Sequence, residues 1–108
     1  MYPYGGFVIT ASSITGIPET PRSYRLMQNY PNPFNQVTVI GYELPRSSEV
    51  ELVIYNLLGQ EIAVLERGKK EAGCYKVEWK ASNLPAGLYF YRLKADSFTD
   101  TKKLLFVK

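Results

Sequence analysis

Residues able to do acid–base or nucleophilic chemistry are scarce in this sequence. Its 108 residues include no histidine, so the commonest general base near neutral pH and the commonest metal ligand are both missing. The single cysteine, Cys74, has no activating neighbour beyond scattered lysines, and we expect a small, partly buried hydrophobic residue rather than a reactive thiol. The sequence therefore predicts no catalytic residue and a protein that is not an enzyme.

Carboxylate pairs are the remaining route to hydrolysis or metal binding. Glu49 and Glu51 alternate along a predicted strand, which makes them solvated neighbours on one face of an exposed edge. Asp96 and Asp100 flank a predicted turn without the glycine and the ladder of aspartates that a calcium loop requires. We therefore predict no cofactor and no metal site, and calcium is the candidate ion if a metal is bound.

Aromatic residues in the second half of the chain offer a third kind of site. Such side chains stack on sugars in carbohydrate-binding modules, but aromatics at alternate strand positions also fill the core of a small domain. The residues concerned are Tyr75, Trp79, Tyr89, Phe90 and Tyr91. The core interpretation is favoured because a core of this size needs several large side chains, and sugar binding is the alternative.

Composition and charge exclude several classes of protein. The chain has 13 basic and 10 acidic residues and a formal charge of +3, and its only basic pairs are Lys69-Lys70 and Lys102-Lys103. This balance predicts no nucleic-acid partner. A single cysteine excludes an intramolecular disulfide. No apolar run approaches the roughly 18 residues that span a bilayer, so no transmembrane segment is expected.

The composition of the sequence changes near residue 21. Residues 1–21 hold one possible short strand, Phe7–Thr10, followed by serine, glycine and proline, and they are interpreted as a linker or the tail of a preceding domain. From Arg22 onward short apolar runs alternate with turn residues, which predicts one domain over residues 22–108. The first residues lack the layout of a signal peptide, so if the parent protein is exported, its export signal is expected further upstream.

Seven runs of strand length, rich in apolar residues and separated by turn residues, follow one another along the chain. The predicted strands cover Tyr24–Asn29, Val37–Leu44, Glu49–Tyr55, Gln60–Glu66, Cys74–Lys80, Leu88–Ala95 and Thr99–Lys108. Two prolines follow the first strand and should place it at a sheet edge. No window shows the 3.6-residue apolar period of a helix. The predicted class is all-β, an immunoglobulin- or fibronectin-like antiparallel β-sandwich of about seven strands.

The connections between these strands carry further predictions. Asn56–Gly59 should form a tight hairpin turn, since glycine supplies the positive φ that such turns need. A loop is expected over Arg67–Gly73. The strand Leu88–Ala95 is apolar or aromatic on both alternating faces, which predicts a central strand that is covered on both sides.

The segment Leu26–Asn35 closely resembles QNYPNPFNP, the opening signature of the type IX secretion C-terminal sorting domains of type A. Further matching pieces follow in the family's order: Tyr42–Pro45, Val53–Asn56 with Leu58-Gly59, Ala72-Gly73 with Val77 and Trp79, Gly87–Leu93 and Lys102–Lys108. Departures are Gln36 in place of a proline, Cys74 in place of a polar or aromatic residue, and Lys80-Ala81 in place of Asp-Gly. The immunoglobulin-like domain of the flagellar hook-capping protein has a similar opening.

This resemblance implies a non-catalytic secretion signal. An outer-membrane translocon would recognise the folded domain, and a sortase-like peptidase would cleave before Tyr24 while an upstream cargo domain is secreted or attached to the cell surface. By similarity the recognition residues are Pro31, Asn32, Pro33, Gly87, Leu88, Tyr89, Lys102, Lys103 and Lys108. The route runs through the periplasm and the outer membrane.

Two interpretations of these residues remain open in the sequence. A lysine-rich last strand would offer a receptor an unpaired edge and positive charge. Lysine and proline at strand edges also protect sheets from aggregation, and Asn32 or Gly87 can serve turn geometry alone. The alternative function is a structural or carbohydrate-binding immunoglobulin-like accessory module of a secreted multidomain hydrolase.

Overall fold

Alternation of apolar and polar side chains makes most of this chain into β-strands. The computed structural model describes residues 20–81 and 83–108, so the possible strand Phe7–Thr10 and nearly all of the expected linker over residues 1–21 lie outside the described residues. The strands are β1 (Arg25–Leu26), β2 (Val37–Leu44), β3 (Ser48–Tyr55), β4 (Glu61–Lys70), β5 (Gly73–Lys80), β6 (Gly87–Ala95) and β7 (Phe98–Phe106). No helix occurs among the described residues, and hence none that could cross a membrane.

The seven strands form two antiparallel sheets. One sheet has three strands in the order β1-β2-β5, and the other has four in the order β4-β3-β6-β7. Side chains from both sheets meet in one hydrophobic core. These observations confirm the predicted all-β sandwich, and the edge position predicted for the first strand is also correct.

The core lies between the sheets and is built from alternate strand positions. In β2 every second residue from Thr38 to Leu44 is buried, and in β3 Val50, Leu52 and Ile54 are buried with them. Full burial of an aliphatic side chain of this size stabilises the fold by about 1.5–3 kcal/mol. In both strands these buried residues repeat at the two-residue period of a β-strand.

The hairpin turn after β3 has the predicted position and chemistry. Gly59 has a φ of +81°, and its N–H donates to the carbonyl of Asn56 at 3.0 Å. The side-chain oxygen of Asn56 accepts further bonds from the backbone N–H groups of Leu58 and Gln60, at 2.9 and 3.0 Å. This single asparagine satisfies most of the turn's donors and fixes its shape.

The loop predicted over Arg67–Gly73 is wrong, because β4 continues to Lys70. Arg67 lies opposite Glu51 and forms an ion pair with it at 2.8 Å, and Lys70 pairs with Glu66 at 2.8 Å. Gly68 adopts a φ of +132° within the strand, a backbone conformation that favours glycine. Charged residues and glycine suggested a loop, whereas here they form a solvated, paired edge strand.

β6 is an inner strand of its sheet, as predicted, but it is not covered on both faces, so that part of the prediction is wrong. The strand lies between β3 and β7, with Tyr89, Tyr91 and Leu93 buried in the core. On the opposite face Phe90 is only half-buried and Lys94 is exposed. A two-layer sandwich has no third layer to cover that face, so the apolar residues there remain partly accessible.

Candidate recognition surface

The opening signature runs alongside β7 and joins the two sheets. Tyr30 exchanges two backbone hydrogen bonds with Val39 of β2, both at 2.9 Å. Asn29 is buried, and its side-chain amide nitrogen donates to the hydroxyl of Thr38 at 2.9 Å. The Thr38 hydroxyl in turn donates to the carbonyl of Pro31 at 2.9 Å. These bonds fasten the first half of the segment to the three-stranded sheet.

The second half of the segment reaches the other sheet through Phe34. This side chain is 2% exposed, and its ring lies 5.7 Å from that of Trp79 and 5.2 Å from that of Phe106, measured between centroids. The Phe34 N–H donates to the carbonyl of Leu105 at 3.0 Å, and the Phe34 carbonyl accepts from the N–H of Val107 at 2.8 Å. The phenylalanine thus anchors the signature in the core and against β7.

Two side chains extend this contact along β7. The Asn32 side-chain oxygen accepts from the N–H of Leu105 at 2.9 Å, and the Gln28 amide nitrogen donates to the carbonyl of Lys103 at 2.7 Å. The edge of β7, which was expected to be unpaired, is therefore hydrogen-bonded over residues 103–107. The prediction of an unpaired edge is wrong. The bond between Asn32 and Leu105 joins residues that are 73 positions apart in the sequence, and strand periodicity does not reveal such a contact.

The first residues of β6 flank β7 on its other side. Gly87 pairs with Phe106, Leu88 with Leu105, and Tyr89 with Leu104. All three sequence elements predicted to be recognised, 31–33, 87–89 and 102–108, consequently meet around the second half of β7. The structure brings together residues that are more than 50 positions apart in the sequence.

The predicted recognition residues differ in their accessibility. Those exposed to solvent are Pro31, Asn32, Pro33, Lys103 and Lys108, while Gly87, Leu88 and Lys102 are half-buried. Tyr89 is buried, packs edge-on against Trp79 at 5.9 Å and donates its hydroxyl to the carbonyl of Pro85 at 2.6 Å. Tyr89 therefore shapes the turn before β6 and is only 5% exposed, although it contributes to the lining of a groove beside that turn.

An exposed apolar groove adjoins these residues and was not predicted. Leu57 and Leu58, in the turn held by Asn56, are 66% and 82% exposed. We name the leucine groove after its lining residues, Leu57, Leu58, Ile62, Leu84, Pro85 and Leu88. The available signal was two leucines at the central positions of a predicted turn, where polar residues are usual.

Positive charge lies at the same end of the molecule. Lys108 lines a shallow depression together with Lys80, Asn35 and Gln36. Lys102 is 4.0 Å from Asp100, while Lys103 and Lys108 form no ion pair within the described part of the chain. The two free ammonium groups remain available to an acidic partner.

Of the carboxylates considered for catalysis, Glu51, Asp96 and Asp100 are engaged in structural contacts. β3 is an inner strand, so the exposed edge expected for Glu49 and Glu51 is wrong, and Glu51 is paired with Arg67 at 2.8 Å. Asp96 accepts from the backbone N–H of Glu49 at 2.9 Å. No group of three or more potential metal ligands occurs among residues 20–81 and 83–108.

Cys74 is exposed, contrary to the expected partial burial of a small hydrophobic residue. It stands on the outward face of the edge strand β5, and its sulfur lies 3.8 Å from the carboxylate of Glu43. Partial desolvation and the nearby negative charge both raise the pKa of the thiol. The reactive thiolate is therefore disfavoured at neutral pH.

The five aromatic residues considered for sugar binding do not form an exposed platform, because most of their rings face inward. Trp79, Tyr89 and Tyr91 are buried in the core, and Tyr75 stacks at 5.1 Å on the buried ring of Tyr42. Only Phe90 presents part of its ring on the outer face of the four-stranded sheet. These aromatics stabilise the fold, as the core interpretation predicted.

Comparison with protein families gives this chain a match. No curated protein matches this chain. The family model of the secretion system C-terminal sorting domain matches residues 28–108, about three quarters of the chain, from the opening signature to the end of the last strand. The chain therefore belongs to this family of type IX sorting domains, the signals that direct a protein through the outer membrane to the cell surface or the surroundings.

Proposed function

We propose that the secretion machinery recognises this domain at the end of the sandwich where 31–33, 87–89 and 102–108 converge. The observation that carries the proposal is their arrangement around β7, with Leu88 opposite Leu105 on one side and Asn32 bonded to Leu105 on the other. A receptor would thus read a folded surface, and unfolding the sandwich would separate its parts.

The apolar part of this surface is the leucine groove. Leu57 and Leu58 project into solvent from a turn most of whose donors are already satisfied by Asn56, so a partner that covers their side chains disturbs none of these hydrogen bonds. Burying one such side chain contributes about 1.5–3 kcal/mol to binding. The partner that fits is an outer-membrane translocon protein with an apolar projection.

The polar part is basic. Lys103 and Lys108 are exposed at the edge of the same end, and Lys80 adds a third cation beside Lys108. Such charges raise the rate of encounter with an acidic surface more than the final affinity, and their effect weakens as salt increases. An acidic rim on the translocon protein would complement them.

The domain acts by being bound and performs no catalysis of its own. The proposed cleavage by a sortase-like peptidase before Tyr24 would leave the sandwich intact, because Tyr24 is fixed by contacts inside the domain. Its hydroxyl lies 2.9 Å from that of Ser48, and its ring stacks on Phe98 at 5.3 Å. These contacts support a domain boundary at about residue 22.

The test is charge reversal in the full chain fused to a cargo, in a host with type IX secretion. The variant Lys103→Glu with Lys108→Glu should lower the exported fraction several-fold. The matched control Lys69→Glu with Lys94→Glu makes the same charge change at exposed positions near the opposite end of the four-stranded sheet, and it should be exported normally. Equal export of both variants would count against the basic surface.

A further inference from the structure

Four hydrogen bonds join the opening signature to one stretch of β7. Side chains of Gln28 and Asn32 contribute two of them, and the backbone of Phe34 contributes the other two. Their partners are the outward-facing backbone groups of Lys103, Leu105 and Val107. These are the groups that would otherwise leave the edge of the four-stranded sheet open to solvent.

The bonding atoms of the signature are already used within the domain. Asn32 is exposed, but its side-chain oxygen accepts from Leu105, and the Gln28 amide nitrogen donates to both Lys103 and Asn29. The Phe34 side chain is inaccessible. A receptor that bound these atoms directly would first have to break bonds to the strand that carries the lysines.

We propose that Gln28, Asn32 and Phe34 form a strand clasp: they act on sorting as positioning residues, by holding 103–107 in the sheet, and not as contacts of the receptor. This inference rests on the proposed function, because it concerns the same surface. Without the clasp the second half of β7 would be bonded on one side only, toward β6. A frayed strand must be ordered again on binding, which weakens recognition.

Two substitutions separate a clasp from a direct contact. Asn32→Asp keeps an oxygen that accepts from the Leu105 N–H, whereas Gln28→Glu replaces the donor to the Lys103 carbonyl by a carboxylate that only accepts. Both changes add one negative charge within five residues of sequence. If the clasp is right, export should fall in Gln28→Glu and stay normal in Asn32→Asp. If instead the receptor is repelled by negative charge, export should fall in both variants.

The measurements are amide hydrogen exchange at Leu105 and Val107, global unfolding in urea, and export of the full chain fused to a cargo. Asn32→Ala removes the acceptor of the Leu105 N–H and should speed exchange at Leu105 up to about tenfold, the effect of losing one hydrogen bond. Gln28→Glu removes the bond to the Lys103 carbonyl and should speed exchange at Leu105 and Val107 by a smaller factor, because the strand frays. Neither substitution should change global stability by more than a small amount. Both should be exported less than the wild type. Asn32→Asp should restore slow exchange and normal export.

Export lost in Asn32→Asp while its Leu105 amide remains protected would overturn the clasp, since the asparagine would then be read directly. Normal export of Gln28→Glu with fast exchange would overturn it as well. The proposed function has its own test in the lysine reversals: if those are exported normally, the basic surface fails while the exchange and export results still decide the clasp.

Discussion

The hydroxyl oxygen of Tyr91 accepts a hydrogen bond from the backbone N–H of Asn29 at 2.8 Å and donates to the carbonyl of Met27 at 2.7 Å. Tyr91 belongs to β6 in the four-stranded sheet, whereas Met27 is bonded to Gly41 of β2 in the other sheet. One phenol therefore ties the two layers at the point where the signature begins.

Removing this hydroxyl should be costly. Tyr91→Phe leaves the buried N–H of Asn29 and the carbonyl of Met27 without their partner, and we expect the free energy of unfolding to fall by about 2 kcal/mol. Urea denaturation measures the loss. Tyr30→Phe makes the same chemical change on a ring that is 80% exposed, and its effect should stay within about 0.5 kcal/mol. Equal losses in both variants would contradict this role for Tyr91.

The same substitution at Tyr42 should have the opposite sign. The Tyr42 hydroxyl is buried and has no hydrogen-bond partner among the described residues. Tyr42→Phe removes an unsatisfied polar group while keeping the ring that stacks on Tyr75, so the free energy of unfolding should rise by about 1 kcal/mol. A marked loss of stability in the urea titration would show that the hydroxyl is satisfied in solution.

Tyr91 should also make stability depend on alkaline pH. Burial raises the pKa of its phenol from the ordinary value near 10 to about 12, despite the opposing effect of the bond from Asn29. The folded state thus favours the neutral phenol, and its contribution is complete below pH 10 and lost as pH rises toward 12. The stability advantage of the wild type over Tyr91→Phe should shrink by up to about 1.4 kcal/mol per pH unit in that window. A constant difference would refute the assignment.

Strand faces were predictable because they depend on neighbouring residues alone. Val50, Leu52 and Ile54 repeat at the two-residue period of a strand, and their burial follows once one face is covered. The hairpin turn at Asn56 was also predictable from neighbouring residues, since glycine three residues later permits the positive φ of the turn. The outer face of β6 was misjudged because apolar content does not say how many layers a fold has.

The proposed recognition surface was predictable only in its parts. Family resemblance suggested Asn32, Gly87 and the lysines as recognition residues, but their meeting around β7 depends on bonds between distant residues, such as Asn32 with Leu105. Phe34 is a single apolar residue in a proline-rich stretch, where no period marks it as core. Such contacts follow from tertiary packing, and one sequence carries no local signal for them.

Phe34 should be a main determinant of stability. Its ring is buried between Trp79 and Phe106, so Phe34→Ala should lower the free energy of unfolding by about 3–5 kcal/mol through lost burial and a cavity. Phe34→Leu fills most of that space and should lose only about 1–2 kcal/mol, which keeps the effect measurable if the alanine variant does not fold. Asn35→Ala, at the exposed neighbour, is the control and should change little.

The leucine groove should affect export and leave folding intact. Leu58 is 82% exposed, so Leu58→Ser should alter the free energy of unfolding by no more than about 0.5 kcal/mol. If a translocon protein buries this side chain, the substitution removes about 1.5 kcal/mol or more of binding free energy. That loss corresponds to about a tenfold weaker interaction. Secretion of a fused cargo, measured as the ratio of exported to cell-associated protein, should fall accordingly.

Val64→Ser is the matched control for this prediction. Val64 is also an exposed aliphatic residue of the four-stranded sheet, at 42%, but it lies on β4 and does not line the groove. A receptor that covers the groove should tolerate the serine at 64 and not at 58. Equal secretion of the two variants would mean that Leu57 and Leu58 project into solvent without a partner in export, and recognition would then depend on the lysines and the clasped strand alone.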